Sequence, residues 1–310
     1  MENVIHTENL TKVYSGSVRA LDSLNLDVKS GEIFGYLGPN GAGKTTTIRL
    51  LLDFIRPTTG QASVLGMDAR RDSIAIKQRV GYMPGEMSLW DSQTAQQIVR
   101  FIGQTRGGYD AKYVQTLAER LQFDLTKKVR SYSTGNKRKL VLIIALMNKP
   151  DLLILDEPSG GLDPLMQQTF YQLMQEARAE GRTVFLSSHI LSEVQAICDR
   201  VGILRAGKLE AVQRVDELMR ADFRYITLRF HEPVPVSLVA SVPGVSNVTS
   251  EGKTLRLHLI GDFDPLLRAV DGYYVEDLEV QEPTLEEVFL KYYGSQSVVN
   301  NHRQKAEAVS

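Results

Sequence analysis

The stretch Gly38-Pro39-Asn40-Gly41-Ala42-Gly43-Lys44-Thr45, with Thr46 directly after it, limits more than any other what this chain can become. It spells Gly, four residues, Gly-Lys-Thr. Ile33–Leu37 before it reads as a strand. Apolar residues at positions 48, 51, 52 and 55 predict a helix over Thr45–Ile55 after it. Glycines in such a turn let main-chain N–H groups converge on an anion where a Cβ would obstruct them. The helix start adds partial positive charge. Lys44 is then the group that reaches the β- and γ-phosphates, and the Thr45 hydroxyl helps hold Mg²⁺.

A second element complements the first. Leu152-Leu153-Ile154-Leu155 is an apolar strand that ends in Asp156-Glu157. In a parallel sheet both acids arrive at the carboxyl end of the strand, where open α/β sheets bind ligands. Asp156 is the expected Mg²⁺ partner. Glu157 is the expected base that orients the attacking water. The helix-like Pro164–Ala179 and the strand-like Val184–Leu186 follow, which fits a parallel sheet with buried strands.

The rest of the chain divides by pattern. Val4–Tyr36 reads as strands, Arg56–Gly60 ends the first helix, and the span from Asp91 to Asn148 is mostly helical. Near Arg220 the character changes. Phe223–Phe230, Val245–Thr249, Leu255–Leu259 and Tyr273–Val280 look like strands, with helical patterns at Asp264–Ala269 and Leu285–Tyr292. An order close to β-α-β-β-α-β predicts a small α+β domain of ferredoxin-like type. The expected organisation is a domain over 1–220 containing a helical region at 91–148, a second domain at 221–294, and a polar, disordered tail at 295–310.

Composition removes several function classes. Lysine plus arginine total 36 and aspartate plus glutamate 37, so no general basic face invites nucleic acid. The single cysteine, Cys198, excludes a disulfide framework and reads as a small buried hydrophobe. The longest apolar run, Leu140–Met147, is far shorter than the roughly 20 residues that span a bilayer. The amino terminus has no secretory pattern. A soluble protein is expected, with any membrane anchor supplied by another chain.

Taken in order, these motifs resemble the nucleotide-binding domains of ABC transporters. They are the phosphate loop, Ser133-Thr134-Gly135-Asn136-Lys137, the Asp156-Glu157 strand end, Ser159–Pro164 and His189. The resemblance covers about residues 4 to 220. It implies a P-loop NTPase fold with a mixed sheet core and a helical subdomain. It also implies ATP and Mg²⁺ as ligands, ATP hydrolysis, and a place at the cytoplasmic face of the membrane. Tyr14 looks like the aromatic that stacks on adenine, Asp163 like the aspartate that communicates between subunits, and His189 like the switch histidine at the γ-phosphate. Ser133, Thr134 and Gly135 look like a signature loop that closes on ATP held by a second subunit, so that two copies complete two sites. The implied partners are that second nucleotide-binding subunit and an integral membrane permease. The neighbouring Lys137, Arg138 and Lys139 read as a solvated helix face.

The chain departs from the family at two places. Gly85 stands where a glutamine is expected near the metal, with Glu86 next, and Thr134 and Asn136 replace a glycine and a glutamine of the signature. The branch of ABC-2-type exporters has such loops, and Glu282–Phe289 resembles the end of its accessory domain. Asn148-Lys149-Pro150-Asp151 matches a guanine-reading element literally, but it precedes the Asp-Glu strand instead of following a later one. A soluble ABC ATPase acting on ribosomes or nucleic acid is the alternative function. The absence of zinc modules and of a basic tail speaks against it. A catalytically idle partner subunit is a further possibility, opposed by the presence of Asp156, Glu157 and His189.

Overall fold

The computed structural model describes residues 2–219 and 223–282. The helix expected over Leu285–Tyr292, the stretch from Pro283 to Phe289 and the tail at 295–310 lie outside the described residues. The chain divides into two compact units, Met1–Val215 and a second beginning at Asp216.

The first unit opens with two long antiparallel strands, β1 (Asn3–Val13) and β2 (Arg19–Lys29), and β3 (Ile33–Leu37) runs into the glycine loop. Helix α1 (Lys44–Leu51) follows. It stops before the expected Ile55, because Asp53 turns left-handed at φ 54° and its carboxylate pairs with Arg56 at 2.8 Å. Sequence patterning also overlooks the polar β4 (Thr59–Val64), the short β5 (Met67–Asp68) and α2 (Ser73–Arg79). They precede β6 (Val80–Met83).

The helical region holds α3 (Ala95–Thr105), α4 (Ala111–Arg120) and α5 (Thr134–Leu146). Thr94 and Gln97 form a reciprocal capping box at the start of α3. Leu140 through Leu146 are all buried, so α5 is enclosed on every side along its second half. Then come β7 (Leu152–Asp156), α6 (Pro164–Ala179), β8 (Thr183–Ser188) and α7 (Leu191–Ile197). The strands β9 (Arg200–Arg205) and β10 (Lys208–Arg214) form a terminal hairpin that periodicity does not reveal.

Two sheets result. One is antiparallel in the order β2-β1-β4-β5, and the other has the order β10-β9-β3-β8-β7-β6. In the second, β9, β3, β8, β7 and β6 run parallel and only β10 is reversed. Phe34 and Phe185, on adjacent strands, stack at 5.9 Å and 6°, and Tyr36 lies 5.3 Å from Phe185. All three are fully buried. Each such side chain contributes roughly 1.5–3 kcal/mol through burial. The register pairs Leu37 with Ser188 and Asp156 with Ser187, so β3, β7 and β8 end side by side.

In the second unit, after α8 (Val215–Met219), the described elements are β11 (Phe223–Phe230), α9 (Ser237–Ala240), β12 (Val245–Glu251), β13 (Thr254–Ile260), α10 (Asp264–Ala269) and β14 (Val275–Gln281). Their order is β-α-β-β-α-β, and the antiparallel sheet runs β12-β13-β11-β14, the ferredoxin-like arrangement. The helix α9, only a turn long, is too short to leave a periodic signal in the sequence. Ile226, Leu228, Leu255 and Leu257 line the core of this unit.

Candidate active site

The glycine loop is shaped by close approach. Gly43 sits at φ 113°, and a Cβ there would stand 2.6 Å from Ala20 O. At Gly38 a Cβ would meet Leu204 O at 2.4 Å. The loop between them, Pro39-Asn40-Gly41-Ala42, turns back so that Ala42 N–H donates to Pro39 O at 3.1 Å. Lys44 is 5% exposed, and its Nζ donates to Gly38 O at 2.6 Å and Pro39 O at 3.3 Å. Its ammonium lies 3.3 Å from Glu157 Oε1. Tyr14 is partly exposed, and its hydroxyl is 3.5 Å from Thr46 Oγ1, beside the same helix start.

The carboxylates come from the end of β7. Asp156 Oδ2 accepts from Thr45 Oγ1 at 2.8 Å, and Oδ1 accepts from Ser187 Oγ at 2.5 Å. Burial, and then the charge of Asp156, push the Tyr82 hydroxyl up to about 12. Glu157 adopts φ 50°, a strained conformation for a residue with a Cβ. Its N–H donates to Ser187 O and to Ser187 Oγ, both at 3.1 Å. His189 Nδ1 lies 3.2 Å from Glu157 Oε1. One carboxylate oxygen therefore faces both the loop lysine and the histidine that follows β8.

Thr45 and Asp156 offer two adjoining hard oxygens, the donor set suited to Mg²⁺, which takes one or two protein ligands and completes its shell with phosphate and water. Among the described residues no group of three or more His, Cys, Asp or Glu side chains is placed to hold a metal unaided. Gly85 lies against the same carboxylate, since a Cβ there would stand 3.4 Å from Asp156 Oδ2. The following residue, Glu86, is exposed.

Ser133 caps α5, its Oγ accepting from Asn136 N–H at 3.3 Å, and Ser133 and Thr134 are exposed. Gly135 is packed close to the loop after β7, where a Cβ would meet Gly161 O at 3.0 Å. Among the described residues no hydrogen bond or ion pair joins Ser133, Thr134 or Gly135 to the Gly38–Thr45 loop of the same chain. Asp163 caps α6 by accepting from Met166 N–H at 3.0 Å.

The expected solvated face at Lys137, Arg138 and Lys139 needs correction. Lys137 pairs with Asp91 at 3.1 Å, and Arg138 Nη1 turns inward to donate to Glu157 O at 2.7 Å. The residues that sequence reasoning missed are the ones that hold the site together: Ser187, Arg138 and the buried Glu193. Glu193 Oε2 accepts from Ser188 Oγ at 2.6 Å. Burial raises its carboxyl pKa against the hydrogen bonds from Ser188 and Ser159. Only Ser187 carries a sequence signal, since it is the next-to-last residue of a strand and lies two residues before His189.

The guanine-like element lies at the other end of the sheet. Asn148 donates to Gly108 O at 2.7 Å, and Asp151 accepts from Arg79 at 2.7 Å. Both side chains are engaged with protein partners at the start of β7.

A family model described as ABC transporter matches residues 21–160. The bacitracin transport ATP-binding protein BcrA of Bacillus licheniformis is 37% identical over 235 residues, 75% of this chain and 76% of that protein. The chain belongs to the ATP-binding subunits of ABC transporters. Like other ABC subunits it binds and hydrolyses ATP. Residues 215–293 of this ABC subunit match the C-terminal domain described as ATP-binding protein DrrA1-3-like. The linearmycin resistance ATP-binding protein LnrL of Bacillus subtilis (strain 168) is 30% identical over 307 residues, 94% of this chain and 98% of that one. The dimeric structure of MJ0796, a bacterial ABC transporter cassette, matches at TM-score 0.62 with 22% identity, over 68% of this chain and 98% of that one. At that identity the likeness establishes the fold alone. Among the described residues no helix is long and apolar enough to cross a membrane.

Proposed function

We propose that this ABC subunit powers export through a separate membrane permease, working as one of two nucleotide-binding subunits at the cytoplasmic face. ATP is held by Gly38–Thr45 with Tyr14 on the adenine. Thr45 and Asp156 hold Mg²⁺, which when bound neutralises charge on the phosphates. Glu157 orients the attacking water, and His189 steadies the γ-phosphate. Ser133, Thr134 and Gly135 of each chain close on the nucleotide of the other, and Asp163 relays the state of one site to its neighbour. The observation that carries this reading is Glu157 Oε1, 3.3 Å from Lys44 Nζ and 3.2 Å from His189 Nδ1. A base, a phosphate-binding cation and a histidine meet there at the mouth of a phosphate loop.

Export, as opposed to import, is supported by the DrrA1-3-like C-terminal domain and by the relative named for resistance. The domains proposed are 1–220 for the ATP-binding part and 221–294 for the accessory part. Glu157→Gln is the test. It should bind ATP, lose turnover by about 10²- to 10⁴-fold, and accumulate as an ATP-bound dimer in size-exclusion chromatography. Unchanged turnover would remove Glu157 from the role of base. Capture of ribosomes or DNA, with no membrane protein recovered, would overturn the transport reading.

A further inference from the structure

Glu157 is clamped through its backbone from two sides. Ser187, at the end of β8, takes its N–H with both the main-chain oxygen and the hydroxyl. Arg138, on the first turns of α5, holds its carbonyl at 2.7 Å. These contacts matter because Glu157 keeps a left-handed φ of 50°, which its own side chain disfavours and which the surroundings must impose. The direction of the carboxylate depends on that dihedral.

Arg138 is seated in a groove made by missing side chains. A Cβ on Gly160 would stand 3.3 Å from Arg138 Nη2 and 3.4 Å from Cζ, and one on Gly161 would stand 3.8 Å from Nε. The planar guanidinium thus lies along the loop that leads from Glu157 to Asp163. Its Nε is buried without a hydrogen-bond partner, an arrangement that costs stability. Lysine could not reproduce it, since an ammonium is a compact point charge without the flat fork.

The same helix carries Ser133 at its N-cap. We infer that Arg138 is a positioning residue for Glu157, tying alignment of the base to the placement of the helix that presents Ser133. The contact is already made within one chain, so loss of the Arg138 guanidinium frees the Glu157 carbonyl whatever the partner does. The inference rests on the reading of Glu157 as the base.

The test uses the full-length chain and four variants: Arg138→Ala, Arg138→Lys, Gly160→Ala and the pair Arg138→Ala with Gly160→Ala. Steady-state ATPase gives kcat and KM, a non-hydrolysable ATP analogue gives affinity, and Tm reports folding. Arg138→Ala should lower kcat by about 10- to 100-fold, the scale of a small misplacement of a reacting group, while KM, analogue affinity and Tm stay near the parent values. Arg138→Lys should not restore kcat. Gly160→Ala should lower kcat alone but add little to Arg138→Ala, because both act through one contact. An Arg138→Ala kcat within about twofold of the parent, a factor expected of uncoupled surface changes, would overturn the role. So would a parallel loss of kcat, affinity and Tm. Glu157→Gln, run alongside, separates the two ideas. If it keeps turnover, the base assignment and this inference both fall. If it loses turnover while Arg138→Ala keeps it, only the role of Arg138 falls.

Discussion

Thr45 and Asp156 stand 111 positions apart in the chain, yet the threonine hydroxyl donates to the aspartate at 2.8 Å. The first lies in the opening turn of the helix after β3, and the second ends β7. Between these strands lies β8, whose Ser187 holds the other carboxylate oxygen of the same aspartate. Three parallel strands thus converge on one acid. Asp156→Asn replaces an acceptor of two hydrogen bonds with a group that is half donor. Turnover should fall by about 10²- to 10³-fold, as for loss of one preorganised electrostatic group. The Mg²⁺ concentration for half-maximal ATPase should rise, and titrating Mg²⁺ at fixed ATP measures it.

Lys44 is nearly enclosed, with its ammonium among Gly38 O, Pro39 O and Glu157 Oε1. Lys44→Ala should weaken ATP binding by about 1.5–3 kcal/mol, the worth of hydrogen bonds to a charged group, or roughly 10- to 100-fold in Kd. Calorimetric titration with ATP would show it. Retained affinity and turnover would remove the loop from phosphate binding.

Gly43 combines φ 113° with a main-chain oxygen 2.6 Å from where a Cβ would sit. Gly43→Ala should therefore destabilise the fold by about 1–3 kcal/mol, the usual cost of a residue forced into such backbone space. Denaturant unfolding of the variant beside the parent gives the value. Gly41→Ala isolates the backbone part of that cost, because it shares a positive φ, 80°, while a Cβ there meets nothing within 4 Å.

Glu193 gives the protein a pH dependence of predictable sign. Burial raises its carboxyl pKa above the ordinary glutamate range in the folded state. A raised value means that the fold prefers the protonated acid. The associated stability is complete below the unfolded value and is lost as pH rises through the folded one. Glu193→Gln, which keeps an acceptor for Ser188, should remove that loss. The variant's Tm should exceed the parent's at pH 8, and the gap should narrow at pH 4.

What could be read from the sequence follows how local the causes are. The run Ile33–Leu51 is legible because a strand, a glycine turn and a helix start each leave their own signal within a few residues. Leu152–Asp156 is legible because a strand buried on both faces is apolar throughout. The polar β4 is not, since Thr59–Val64 is shaped by pairing with β1 and has little apolar alternation. The β9–β10 hairpin turns at Ala206-Gly207, yet its strands carry charges at both ends. Arg138 shows the limit within the site. Its acceptor is a main-chain carbonyl 19 positions away, and a carbonyl has no residue type to betray it. Three basic residues in a row look like a solvated face until the fold turns one of them inward.

Cys198, the single cysteine, is buried where α7 crosses β3, and a Cβ on Gly35 would press within 2.9 Å of its sulfur. Burial also drives its thiol pKa well above the usual range, so little reactive thiolate forms. Maleimide dyes should leave the native chain unlabelled under folding conditions. A cysteine introduced on the surface would then be the sole attachment point for a fluorophore, and the approach of two subunits could be followed by energy transfer without first deleting a natural thiol.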